Sequence, residues 1–159
     1  MQEIKADRLC GLAQAGLIGT MCPDGNYSLE IFNHLSGFTE RPHLPSLNGG
    51  AMLLAPGHPN HQRDGKAIIA SIEGAWSMGK GKAIILLSHY PCGLAGIIGY
   101  SAQDIIRDTL AADDYLTSLL GLAEEIVLPL FHIDWQPDAK VGEKHCRTYV
   151  IKNKCRQMI

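Results

Sequence analysis

No apolar run in this 159-residue sequence approaches the ~20 residues that a membrane-spanning helix needs, so an integral membrane protein is not expected. The opening residues, MQEIKADRLC, lack the apolar core of a secretory leader, and a cytoplasmic protein is expected. Charge is also scarce. Only 19% of residues are charged, the formal net charge is −2, and basic residues are scattered apart from the tail between Lys140 and Arg156. Without a basic stripe, nucleic acid is not an expected partner. Disorder is excluded by the 46% apolar content. There is no internal repeat and no low-complexity segment. The five cysteines, Cys10, Cys22, Cys92, Cys146 and Cys155, are odd in number and far apart. A disulfide framework is therefore not expected, and metal binding or buried thiols are. The length suits one domain over 1–159 with room for a real core.

The stretch KAIILLSHYPCGLAG, Lys82 to Gly96, carries the strongest local signal. Ala83 to Leu87 is an unbroken apolar run short enough for a buried strand. Polarity switches at Ser88, and Pro91 cannot continue a central strand. A helix is expected from about Leu94 to Leu110. His89 and Cys92 therefore stand where a buried strand turns into a helix, the place where open α/β sheets bind ligands.

The rest of the chain alternates in the same way. Residues 1–13 read as a short helix or arm. Ala15 to Met21 is a second apolar run, ended by the turn sequence Cys22-Pro23-Asp24-Gly25-Asn26. Tyr27 to Leu35 reads as a short helix and Ser36 to Asn48 as a loop. Gly49 to Ala55 is a third short apolar run, followed by a loop in which His58 and His61 are expected at the surface. Gln62 to Met78 has helical spacing and is closed by Gly79-Lys80-Gly81. Ala111 to Asp114 either breaks the next helix or lets it run on to Leu120. Glu125 to Trp135 reads as a strand whose Pro129 favours an edge or a bulge. His145 to Lys152 alternates like a final strand, a hairpin partner of the one before. Together these predict an α/β fold with a mainly parallel central sheet flanked by helices and an antiparallel C-terminal edge.

Cys22, His89 and Cys92 all fall at strand carboxyl ends, and in a parallel sheet those ends share one side. Two thiolates and an imidazole form the Cys₂His set of catalytic zinc, which leaves a fourth position open. Asp24, two residues after Cys22, is placed either to be the fourth ligand or to orient a water. Alone, each has an ordinary reading: Cys92 as a buried thiol, His89 as a hydrogen-bonded histidine, Asp24 as turn chemistry. Glu73 reads as a helix residue near the site or on a solvated face, and Trp76 and Trp135 as core or interface aromatics. Cys146 and Cys155, in the basic tail, are more simply ordinary thiols than a second metal site.

From Leu17 to Ile98 the sequence resembles the β-class carbonic anhydrases. Cys22-Pro23-Asp24 matches the first half of that family's Cys-x-Asp-x-Arg motif, and His89-Tyr90-Pro91-Cys92-Gly93 matches its His-x-x-Cys motif with the following glycine. Leu47-Asn48-Gly49-Gly50-Ala51 falls where the family has an Arg-Asn-Ala-Gly-Asn-like segment, and Ser71-Ile72-Glu73-Gly74-Ala75 resembles its Ser-Ile-Glu-Tyr-Ala helix. The resemblance implies zinc as cofactor, held by Cys22, His89 and Cys92. It also implies Asp24 as a catalytic residue and a homodimer or higher homo-oligomer with the pocket at the subunit interface. The implied reaction is a lyase reaction: reversible hydration of carbon dioxide, or of a related small substrate such as carbonyl sulfide, by zinc-bound hydroxide. His34, His43, His58 and His61 are the candidates for relaying the proton.

One departure stands out. The Arg of the first motif, which pairs with its Asp, is replaced by Asn26. Asp24 is then left to swing onto zinc, or to find another partner in Arg41 or Arg63. The loss favours an alternative: a zinc-binding protein of this fold without hydratase activity, serving a binding or structural role. A third, weaker reading is a redox pair of Cys22 and Cys92, against which zinc at stoichiometric occupancy would count strongly.

Overall fold

The computed structural model describes residues 14–25, 27–37, 39, 42–123, 126–135 and 146–151 of the chain, with the side chain of residue 34 excepted. The expectations for residues 1–13, Asn26, Arg41, Cys155 and most of the basic tail lie outside these residues. In chain order the elements are β1 (Leu17–Thr20), α1 (Ser28–Ser36), a 3₁₀ turn (Gly50–Leu54), a single π turn (His61–Gly65) and α2 (Lys66–Ser77). Then come β2 (Ala83–Tyr90), α3 (Gly93–Ile97), α4 (Ala102–Leu120), β3 (Val127–Asp134) and β4 (Cys146–Val150).

The sheet runs β1-β2-β3-β4, with the first three strands parallel and β4 antiparallel to β3. The expected architecture is therefore present, antiparallel C-terminal edge included. β2 is interior and buried on both faces, which is why it reads as a continuous apolar run rather than an alternation. One face carries Leu17, Ile85, Leu87, Leu128 and Leu130 against Tyr27, Ile31 and Leu35 of the α1 segment. The other carries Ile18, Ile84, Leu86 and Val127 against Ile68 and Ile72 of α2 and Leu116 of α4. Beyond β1, the extended backbone at His43 and Ser46 runs parallel to the strand, and Gly19 N–H donates to the His43 carbonyl at 2.8 Å.

Several local expectations are corrected. β3 is an interior strand despite Pro129, which sits opposite Leu86 of β2. The Pro129 carbonyl accepts from Ile151 N–H on the β4 side at 3.0 Å, so its missing N–H also faces that side, just past the last residue of β4. The proline thus forfeits one bond where β4 has ended. The third apolar run, to which the sequence assigns no element, holds a fully buried 3₁₀ turn at Gly50–Leu54 packed on α4 and β2. The helix expected from Leu94 to Leu110 is two helices, separated at Gly99 (φ +74°) and restarted by a capping box at Ser101 and Asp104. α4 then runs through Ala111–Asp114 to Leu120. Ser101→Ala removes the oxygen that accepts from Asp104 N–H, and a loss of ~0.5–2 kcal/mol is expected in urea unfolding. Among the described residues no helix is long and apolar enough to cross a membrane.

Candidate metal centre

β1 delivers the chain to Cys22 and the turn that follows it, and β2 delivers it to His89 near its end and to Cys92 just beyond. Because β1 and β2 are paired and parallel, both ends open on the same edge of the sheet. The Sγ atoms of Cys22 and Cys92 and a ring nitrogen of His89 all lie within 4.8 Å of one another, and all three residues are buried. Ligands of a tetrahedral zinc-type ion, bound at 2.0–2.3 Å, lie about 3.5–3.8 Å apart.

The surroundings prepare these groups for a cation. Gly49 N–H donates to Cys22 Sγ at 3.2 Å, which favours a thiolate. The adjacent Cys22 thiol holds the Cys92 thiol well below its ordinary range, aided by His89 and by Ala95 N–H in the first turn of α3. Cys22 is pushed the other way, by Cys92 and by burial. The pair therefore holds one negative charge before it holds two. Both ring nitrogens of His89 are buried and make no hydrogen bond. Such an orphaned polar group costs ~1–3 kcal/mol unless something else satisfies it. A metal ion would satisfy one of the two nitrogens, and these donors fit one of zinc type. Met52, Ala95, Ile105 and Phe131 pack around the two cysteines.

No protein-family model matches the sequence, and no curated protein matches it. Among solved structures, the fold matches the crystal structure of carbonic anhydrase from Streptococcus mutans with a TM-score of 0.53, covering 87% of this chain and 82% of that one. The fold is carbonic-anhydrase-like. Sequence identity over the match is 14%, so the likeness concerns architecture alone.

Within this carbonic-anhydrase-like fold, the three expected ligands meet and the other candidates separate. Asp24 is half-buried and outside the three-residue group; its carbonyl accepts from Tyr27 N–H at 3.1 Å and Ser28 N–H at 2.8 Å at the entry to α1. Arg63 does not serve Asp24: it is exposed and makes a two-pronged pair with Asp64, each bond 2.7 Å. The expectation that His58 and His61 lie at the surface is wrong, since each is only 3% exposed. His61 Nδ1 donates to the Leu53 carbonyl at 3.2 Å, and its ring meets Tyr115 edge-on. His58 Nδ1 accepts from Asn60 N–H at 3.1 Å, which places the proton of the neutral ring on Nε2, and its ring meets Tyr100 edge-on. Burial pulls the His58 pKa down. Both histidines pin the loop before α2, while His43 is exposed. Trp76 packs on the core, and Trp135 is exposed.

Sequence reasoning missed Tyr27 and His132. The Tyr27 ring lies 5.0 Å from that of His89 and 6.1 Å from that of His132, centre to centre. His132 is the register partner of His89 on β3. The signal was the matching pattern of the two strands, LLSHY and LFHID, each with a histidine following alternate apolar residues.

Proposed function

We propose that the chain is a zinc-dependent lyase of carbonic anhydrase type that reversibly hydrates carbon dioxide or a related small linear substrate such as carbonyl sulfide. The observation that carries this reading is the buried Cys22–His89–Cys92 group, with both His89 ring nitrogens lacking a hydrogen bond, at the strand ends of a carbonic-anhydrase-like sheet. Cys22, His89 and Cys92 would hold zinc, which when bound supplies Lewis acidity and makes water a nucleophile near neutral pH. Gly49 N–H steadies the Cys22 sulfur, and the Tyr27 ring fixes the plane of His89. The Asp24 carboxylate is assigned the acceptor that orients the attacking water. Met52, Ile105 and Phe131 keep bulk water away and suit an apolar substrate. A cytoplasmic setting, with its reduced thiols, suits a site built on two cysteines. A homodimer or higher homo-oligomer, with no nucleic acid or membrane partner, completes the proposal.

Stopped-flow carbon dioxide hydration tests it. Zinc-loaded protein is expected to turn over and metal-free protein is not. Zinc-loaded protein inactive across about pH 6 to 9 overturns the lyase reading. That outcome would favour a metal-binding protein without hydratase activity, a reading supported by the engagement of Arg63 with Asp64.

A further inference from the structure

A second group of metal-ligating side chains lies on the α1 face of the sheet, beyond Tyr27 from His89. Glu30 comes from the first turn of α1, His132 from β3 and Cys146 from β4. Their ligand atoms all lie within 4.8 Å of one another. The register explains the convergence. His132 pairs with Thr148 and Asp134 with Cys146, so His132, Thr148 and Cys146 alternate onto one face, the face that α1 covers.

We propose that Glu30, His132 and Cys146 form a second metal site, for a borderline divalent ion such as zinc or cobalt(II). Its geometry is that of a ligand set more than of an ion pair. His132 Nε2 and Glu30 Oε2 are 3.8 Å apart, too far for a hydrogen bond but close to the separation of two ligands sharing one tetrahedral ion. The other ring nitrogen, Nδ1, meets Thr148 Oγ1 at 3.0 Å. That contact fixes the ring with Nε2 toward Glu30, as an outer partner does for a metal-bound histidine. A carboxylate and a thiolate balance a divalent charge, and the imidazole and thiolate select zinc-like ions over calcium or magnesium. His132 is buried while Glu30 and Cys146 are partly exposed, so an ion enters from the solvent side. The ion ties α1 to the two C-terminal strands. This proposal does not rest on the lyase reading, since it uses none of Cys22, His89 or Cys92.

Metal counting on the full chain tests it, with cobalt(II) and zinc as the probes. Metal-free protein is expected to take up two ions. Cys92→Ser is expected to keep one, with a near-ultraviolet cobalt–thiolate band from Cys146. Cys146→Ser is expected to bind one ion, and the double variant Cys92→Ser/Cys146→Ser is expected to bind none and to lose that band. Glu30→Gln, at a partly exposed helical position, leaves the fold intact and is expected to weaken the second ion roughly tenfold or more while leaving the first unchanged. Failure of Cys92→Ser to bind any ion overturns the proposal, as does an ion in Cys92→Ser that is held unchanged when Cys146→Ser or Glu30→Gln is added.

Discussion

Cys92→Ser is expected to abolish the zinc-dependent part of this protein's stability while leaving the metal-free fold nearly unchanged. Serine is close to cysteine in size, so the packing of Cys92 against Met52, Ala95 and Ile105 survives, and the metal-free proteins should differ by no more than the ~1–3 kcal/mol of burying the hydroxyl. The chemistry does not survive. Cys92 is the thiol held low by its neighbours, whereas a serine hydroxyl stays protonated and is a poor zinc ligand. Loss of an outer partner costs 10–100-fold in metal affinity, and loss of a ligand is expected to cost more than ~100-fold. A ligand at a thousand times its Kd stabilises a fold by ~4 kcal/mol, so zinc should raise the wild-type melting temperature by several degrees more than that of the variant. Calorimetry with and without zinc reads this directly. An undiminished shift in Cys92→Ser would remove Cys92 from the ligand set.

Gly50→Ala is expected to be the most damaging single-methyl change near the site. Gly50 has φ +58°, and a Cβ there would lie 2.8 Å from Cys22 N and 2.8 Å from the Leu87 carbonyl oxygen. Both obstacles are backbone, so neither can rotate away. The left-handed conformation costs ~1–2 kcal/mol with a side chain, and overpacking adds ~1–3, so a loss of about 2–5 kcal/mol is expected. The clash also pushes on the residue that carries the first thiol, so zinc affinity should fall with stability. Gly74→Ala is the control. It sits inside α2 with nothing within 4 Å of the added methyl, and a gain of ~0.5–1 kcal/mol is expected from helix propensity. Urea unfolding and zinc titration of the pair test both signs. A neutral Gly50→Ala would mean that the backbone around Cys22 yields more readily than its burial implies.

What the sequence made legible was local. The run Ala83–Leu87, the Pro-Asp-Gly turn after Cys22 and the strand-ending His89-Tyr90-Pro91-Cys92 are each set by neighbouring residues, and the parallel sheet does the rest by turning both strand ends to one edge. The break between α3 and α4 was also written locally, in Gly99 and in the Ser101/Asp104 box, but the apolar periodicity runs across it and hid it. Pro129 misled because the rule for proline concerns a missing donor, and whether that donor is missed depends on how far β4 extends. His58 and His61 misled for a related reason. Their loop is polar in sequence, yet Leu53, Tyr100 and Tyr115 bury it from three separate segments. Glu30 precedes His132 and Cys146 by more than a hundred residues; the register of β3 and β4 puts the latter two on one face, and α1 packs Glu30 against it.

The segment that lies along β1 bears on how two copies of this chain would join. By accepting from Gly19 and donating from His43 N–H to the Leu17 carbonyl at 2.9 Å, it spends the hydrogen-bonding capacity of that margin. Among the described residues the β1 margin is thereby covered and β4 is the outer strand on the other side of the sheet, where a sheet continued from one copy to the next would run. Such a seam would lie beside Cys146, so the growth of an assembly and the filling of the second metal site would draw on the same strand.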